Sequence, residues 1–119
     1  MSLDYRPRVE RALRFIGENL DRPLSVAEVA RAAHLSEFHF HRIFAAVMGE
    51  PIGRLITRRR LELAALRLAY ETERSVTDIA LSVGFSSTSN FSKAFSAHFG
   101  CAPSRLRQRP RGLGFPKAR

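Results

Sequence analysis

The chain has 119 residues, of which 45% are hydrophobic and 26% are charged, a composition typical of one folded domain rather than of a disordered or fibrous protein. Its charge is unbalanced, because 20 Lys and Arg residues against 11 Asp and Glu residues give a formal net charge of +9 at pH 7. Such a field attracts polyanions, so nucleic acid is the first partner to consider.

Other classes of protein fit the sequence less well. No apolar run approaches the roughly 18 residues that a membrane span requires, and no leader sequence is recognisable, so we expect a cytoplasmic protein with no membrane partner. The single cysteine, Cys101, argues against an internal disulfide framework and against a multi-cysteine zinc site.

The first two predicted helices are short. An apolar stripe at helical spacing marks the first of them and is formed by Val9, Leu13, Ile16 and Leu20. The second begins at a capping box, because the Ser25 hydroxyl can accept a free backbone N–H while Glu28 reaches back to the cap residue.

The third helix begins after Ser36, a favourable cap, and stops at Gly49. Its apolar side is formed by Phe40, Ile43, Phe44 and Val47. A short turn joins it to the second helix, so residues 25–48 predict a helix-turn-helix. A longer helix over residues 52–70 follows, and its apolar residues are spread around it, so it must be covered on more than one side.

The second half of the chain repeats the first. Ser75-Val76-Thr77-Asp78-Ile79-Ala80 restates Ser25-Val26-Ala27-Glu28-Val29-Ala30, and after a one-residue insertion the match resumes through a further helix. A second helix-turn-helix is therefore predicted over residues 75–99, with Ser86 as its internal cap. Gly84 stands where the first unit has His34, so either His34 adopts a strained positive φ or the first turn is shaped differently.

The pattern as a whole predicts an all-α fold in which a long connecting helix joins two helix-turn-helix subdomains, with about seven helices over residues 7–108. A last short helix extends to about Gln108. Residues 109–119 are rich in proline, glycine and basic side chains, which predicts a tail or the start of a linker.

The third helix places side chains that can read bases opposite its apolar side. An arginine binds guanine O6 and N7 bidentately, a phenylalanine packs on the thymine methyl group, and a histidine donates or accepts at a base edge. We therefore predict base contacts by Phe38, His39, His41 and Arg42. The alternative is a solvated helix face with one exposed aromatic ring.

The sixth helix carries smaller polar side chains at the corresponding positions. The predicted base contacts there are Ser89, Asn90, Ser92 and Lys93, although the same residue types also bind phosphates, so this helix should read sequence more weakly. The predicted contacts to the DNA backbone are Ser36, Arg54, Arg58, Arg60, Ser86, Ser87, Thr88 and Arg105. Some arginines have a structural alternative, since Arg67 can pair with Glu71 one turn later.

The second unit contains the segments Asp78-Ile79-Ala80-Leu81-Ser82-Val83-Gly84-Phe85, Asn90-Phe91-Ser92-Lys93-Ala94-Phe95 and Phe99-Gly100-Cys101-Ala102-Pro103. With Pro23-Leu24-Ser25 and Leu35-Ser36 in the first unit, they resemble the DNA-binding domain of the AraC/XylS family of bacterial transcription regulators. The resemblance runs from about Arg8 to Arg107. It implies that the third and sixth helices enter successive major grooves of double-stranded DNA, and that RNA polymerase is the protein partner during activation.

Regulators of this family usually carry a separate effector or dimerisation domain, for which this chain has no room. We therefore expect that an effector domain is missing and that the chain is a fragment; the alternative is a monomeric regulator controlled by its own abundance. Neither a cofactor nor a metal is predicted.

Three other functions are alternatives to sequence-specific DNA binding. An enzyme would need more than His98 and Cys101, which lie one turn apart without a nearby orienting carboxylate, so no catalytic residue is predicted. A helical protein-interaction module would use Phe38 as its anchor, and a non-specific architectural DNA binder would use the positive charge alone.

Overall fold

The computed structural model describes residues 4–108. Over that range every regular element is an α-helix, and the predicted all-α class with seven helices is confirmed. In chain order the helices are α1 (Arg6–Glu18), α2 (Val26–Ala32), α3 (Glu37–Met48), α4 (Ile52–Tyr70), α5 (Val76–Ser82), α6 (Thr88–Phe99) and α7 (Pro103–Arg107). The tail predicted for residues 109–119 lies outside the described residues.

The chain divides after Thr57, within α4, into two compact units. In the first unit α1, α2 and α3 pack against one another. The buried apolar residues of this unit are Val9, Ala12, Ile16, Leu20, Val29, Ala30, Ala33, Phe40, Phe44, Ile52 and Leu55. Leu20 is buried although α1 ends at Glu18, so the apolar stripe continues into the turn that follows the helix.

One residue of the predicted apolar side of α3 is not in the core. Val47 is 45% exposed, whereas Phe40 and Phe44 are fully buried. Seven residues at about 100° each bring Val47 to within about 20° of Phe40, so it lies on the same side as the buried row of Phe40 and Phe44. Its exposure reflects its place in the last turn of α3, past the end of that row. The second unit shows the same row as Phe91, Phe95 and Phe99. The prediction that Val47 is a core residue was therefore wrong.

The second unit has its own core. It consists of Leu61, Ala64, Ala65, Leu68, Ile79, Ala80, Val83, Phe91, Phe95, Phe99 and Leu106. The first turns of α4 bury Ile52 and Leu55, and its later turns bury Leu61 and Leu68 on a different side of the helix. This change of side explains why the apolar residues of α4 are spread around it.

Serine caps begin four of the helices. The Ser25 hydroxyl accepts from the Glu28 backbone N–H at 3.1 Å, and the Ser25 backbone N–H donates to the Glu28 carboxylate at 3.0 Å, so the capping box is confirmed. That second bond lowers the pKa of Glu28 below its ordinary value, because it stabilises the charged carboxylate. Ser75 caps α5 and Ser36 caps α3 in the same way, through single side-chain bonds.

The cap of α6 is not the residue that the repeat predicted. Ser87 accepts from the Asn90 backbone N–H at 3.1 Å, whereas Ser86 lies one residue before the cap. The inserted residue therefore precedes the cap, so that Ser87 and not Ser86 corresponds to Ser36. The assignment of Ser86 as the helix cap was wrong for this reason.

The two turns share one backbone conformation. Gly84 has a φ of 95° and His34 has a φ of 58°, and His34 is the one non-glycine residue in the described part of the chain with positive φ. The strained alternative considered for His34 is thus the one adopted. The Arg8 guanidinium on α1 donates to the His34 carbonyl at 3.1 Å, which ties the turn to the first helix.

Among residues 4–108, no helix combines the length and the apolar character needed to cross a membrane.

Candidate nucleic-acid interface

The outward side of α3 presents aromatic and basic groups together. Phe38 is 69% exposed, and His39, His41 and Arg42 are exposed as well. The two rings that hold this helix in place, Phe40 and Phe44, are fully buried and are tilted against each other by 38° with their centroids 5.3 Å apart. Phe40 and Phe44 lie on one side of α3, whereas Phe38 and Arg42 lie on the opposite side. Burial of the two phenylalanines therefore fixes the direction in which Phe38 and Arg42 point.

Phe38 and Arg42 contact each other on the surface. The central carbon of the Arg42 guanidinium lies 5.8 Å from the centroid of the Phe38 ring, a cation–π distance. The His39 ring lies edge-on to Phe38 at a centroid separation of 5.9 Å. Arg42 makes no ion pair with any residue that the structure describes, so its charge stays available to an external anion or base edge.

The start of α3 orients His39. Its Nδ1 lies 3.1 Å from the Ser36 hydroxyl, which also accepts the His39 backbone N–H at 3.2 Å. When the hydroxyl proton is donated to Nδ1, the ring proton sits on Nε2 and faces outward as a donor. The Ser36 hydroxyl thus bonds both to the backbone N–H of His39 and to its ring, although Ser36 is an exposed residue.

The outward side of α6 is more polar and less exposed. Ser89, Asn90 and Lys93 are exposed, and Ser92 is half-buried. The Asn90 amide donates to the Ser86 hydroxyl at 3.4 Å, so one of its two donors is already directed at the protein. No aromatic ring stands at the position of Ser89, which corresponds to Phe38, so this surface lacks the ring-and-cation pair of α3.

A hydrogen bond between two threonines, which the sequence did not predict, joins α5 to the start of α6. The Thr88 hydroxyl donates to the Thr77 hydroxyl at 3.0 Å and so joins the first turn of α6 to α5. Thr77 stands where the first unit has Ala27, and this difference between the repeats was the signal that sequence reasoning passed over.

The arginines predicted to contact the DNA backbone differ in their exposure and in the bonds that they already make within the protein. Arg54 and Arg105 are exposed. Arg58 forms an ion pair with Glu62 at 3.2 Å, and burial lowers the pKa of the half-buried Arg60.

The structural alternative for Arg67 is confirmed. Its Nε lies 3.7 Å from the Glu71 carboxylate, and its Nη1 donates to the Ser82 hydroxyl at 2.8 Å.

Cys101 is half-buried, and the part of the chain from 4 to 108 contains no group of three or more His, Cys, Asp or Glu residues placed to hold a metal ion. His98 packs edge-on against Phe99 at a centroid distance of 4.6 Å. His98 and Cys101 are therefore not part of such a metal-holding group within that range.

Comparison with known proteins agrees with this geometry. A family model described as a helix-turn-helix domain matches residues 29–109. The regulatory protein SoxS of Salmonella typhimurium is 34% identical over 107 residues, which cover 90% of this chain and 99% of SoxS. The chain belongs to the AraC/XylS family. It is a helix-turn-helix domain of a bacterial DNA-binding transcription regulator.

Two further relatives of this AraC/XylS domain are informative. The right origin-binding protein of Escherichia coli K12 is 39% identical over 97 residues, which cover 82% of this chain and 33% of that protein. The crystal structure of an AraC-type transcriptional regulator from Chromobacterium violaceum superposes with a TM-score of 0.84 at 28% identity, over 92% of this chain and 96% of that one. The double helix-turn-helix fold is thus shared with solved members of the family.

Proposed function

We propose that the chain binds a bipartite site in double-stranded DNA, with α3 in one major groove and α6 in the next. The observation that carries this proposal is the outward side of α3, where Phe38, His39, His41 and Arg42 are exposed while Phe40 holds the helix from behind. Two recognition helices about 34 Å apart, one turn of DNA, would cover a site of about 20 base pairs.

The two helices contribute unequally in this proposal. Arg42 reads guanine, and the rings of Phe38, His39 and His41 contact neighbouring base edges. On α6, Ser89 and Ser92 are short, Asn90 is already hydrogen bonded, and Lys93 can bind a phosphate as well as a base, so their half-site tolerates more sequences. The specific half of the site is therefore the half bound by α3.

Contacts to phosphates set the position of the protein along the duplex. We assign them to the side chains of Ser36, Arg54, Arg58, Arg60, Ser86, Ser87, Thr88 and Arg105. Arg58 must exchange its bond to Glu62 for a phosphate, whereas the exposed Arg54 needs no such exchange. Arg54 is accordingly the better probe of a backbone contact.

Membership of the family supports a proposal about how the protein regulates transcription. We infer that the protein acts in the cytoplasm as an activator that presents a surface to RNA polymerase, and that it performs no catalysis and needs no cofactor. In vitro transcription from a promoter that carries the bound site tests this step. An increase in transcripts supports activation, and a decrease identifies a repressor.

Selection from a library of random duplexes tests DNA reading itself. The expected result is an enriched motif with one well-defined half and one degenerate half, spaced by one helical turn. Recovery of no motif, with binding to all duplexes alike, would leave only architectural binding. Absence of any DNA binding would favour the protein-interaction module built on Phe38.

A further inference from the structure

We propose that α3 recognises the C5 methyl group of a pyrimidine next to the guanine read by Arg42, and that it accepts thymine and 5-methylcytosine equally there. The inference rests on the proposed function, since it specifies what the same surface reads. Two observations carry it: the exposure of Phe38 and its contact with Arg42.

Phe38 is a large apolar side chain that is exposed to solvent. Its side chain is 69% exposed, and it lies one helical turn before Arg42 on the side away from the core. The base edges in the major groove carry hydrogen-bonding atoms with one apolar exception, the thymine methyl group. A phenyl ring that enters the groove at this position therefore gains most from a methyl group.

The contact with Arg42 fixes where that methyl group lies. The guanidinium carbon and the ring centroid are 5.8 Å apart. Successive base pairs are separated by about 3.4 Å, so two groups this close address base pairs that are no more than about two steps apart. The pyrimidine proposed here is the nearest of these, the immediate neighbour of the guanine bound by Arg42.

The chemistry of the ring defines what Phe38 cannot distinguish. Thymine and 5-methylcytosine carry the same methyl group and differ at the neighbouring position, where one has an oxygen acceptor and the other an amino donor. A phenyl ring has no hydrogen-bonding atom with which to tell these apart. Uracil and unmethylated cytosine lack the methyl group, so both should be disfavoured.

The second unit supplies an internal control. Ser89 and Lys93 occupy the positions that correspond to Phe38 and Arg42, and both are exposed. Among residues 4–108, no ring contacts the lysine as Phe38 contacts Arg42. Dependence on a pyrimidine methyl group should therefore be confined to the half-site bound by α3.

Three random duplex libraries test the proposal. One is amplified with the ordinary nucleotides, one with deoxyuridine in place of thymidine, and one with 5-methyldeoxycytidine in place of deoxycytidine. We expect a thymine beside a guanine in the first library, loss of that preference in the second, and acceptance of either methylated pyrimidine in the third. On a single duplex, removal of that methyl group should weaken binding about fourfold, the value of one buried methyl group.

Two single variants test whether Phe38 is the residue that recognises the methyl group. Phe38→Ala should bind thymine and uracil duplexes equally, while Ser89→Ala should keep the wild-type difference. Because Phe38 is exposed, the variant should retain wild-type helicity by circular dichroism, which is the control for folding.

The outcomes are distinct for the two proposals. A motif that is the same in the thymine and deoxyuridine libraries would overturn methyl recognition while leaving DNA reading intact. Methyl dependence in the α6 half-site, or its persistence in Phe38→Ala, would also overturn it. Failure to recover a motif from any library would overturn the proposed sequence-specific function and this inference with it.

Discussion

Arg42 and Arg54 are exposed arginines with the same charge but different surroundings. Arg42 lies against the Phe38 ring on the outward side of α3, whereas Arg54 lies in the first turn of α4. A cation beside an aromatic ring is held in one direction, and a planar guanidinium so held can make a bidentate bond to one base. An arginine without such an anchor is suited to a phosphate.

Arg42→Ala should therefore cost about 1–3 kcal/mol of binding free energy on the selected site and relax the preference at one base pair. Arg54→Ala should weaken specific and unrelated duplexes alike. Equilibrium binding to the selected duplex and to its single-base variants measures both effects. A uniform loss for Arg42→Ala across all duplexes would reassign it to the backbone.

His34 is the other residue whose role depends on its surroundings. A residue with a side chain costs about 1–2 kcal/mol in the left-handed region, and glycine there adds about 0.4–1 kcal/mol of entropy to the unfolded chain. His34→Gly should thus raise the free energy of unfolding by about 0.5–1 kcal/mol. Gly84→Ala, the matched change in the second turn, should lower it by about 1 kcal/mol. Urea denaturation measures both, and a destabilised His34→Gly would show that its side chain outweighs the backbone strain.

At the scale of helices, the order and number of elements could be read from the sequence, because apolar periodicity marks the longer helices and serine caps begin four of the seven described. Some details could not. Arg8 and His34 are 26 residues apart, and nothing in either local sequence indicates their hydrogen bond. The exposure of Val47, in the last turn of α3, depends on how far along the helix its neighbours pack, which periodicity does not indicate.

The residues proposed to read bases on α3 could be selected from the sequence because they lie opposite an apolar row of phenylalanines. Their contacts to one another were not, since the angle of the Phe38 ring against Arg42 depends on side-chain rotamers. The cap of α6 was misplaced because two serines stand in succession, and only the backbone geometry distinguishes Ser87 from Ser86.

The caps allow a direct test of that correction. Ser87→Ala should lower the free energy of unfolding by about 1 kcal/mol, since it leaves an amide at the helix start without its partner. Ser86→Ala should change it by less than about 0.5 kcal/mol. Chemical denaturation of the two single variants decides between them. A larger loss of unfolding free energy for Ser86→Ala would show that Ser86 is the helix cap, as the repeat predicted.

For the whole molecule, the count of 20 Lys and Arg residues overstates how many side chains can meet a phosphate. Several guanidinium groups are tied to carboxylates within the chain, including those of Arg6, Arg22, Arg58, Arg67 and Arg74. Exposed pairs of this kind are weak, yet each must be given up before its arginine binds DNA. The number of phosphates neutralised should accordingly be well below the number of basic residues.

We expect the logarithm of the association constant to fall linearly with the logarithm of salt concentration, with a slope of about −5 to −9, as for about six to ten phosphate contacts. Arg54→Ala should reduce the magnitude of this slope by about 1. Titrations over a series of salt concentrations measure both. A slope near zero would indicate that an apolar protein interface, and not DNA, is the target of this surface.

The two recognition helices end alike as well as begin alike. Gly49 and Gly100 have φ values of 74° and 78°, and each stands the same number of residues after its capping serine. The blocks Ser36–Gly49 and Ser87–Gly100 therefore match in length, start and stop, and each carries its own phenylalanine anchors. If α3 reads bases as proposed, replacing the second block by the first should yield a protein that reads the same half-site twice, so that exchange of one helix would reprogram the target site.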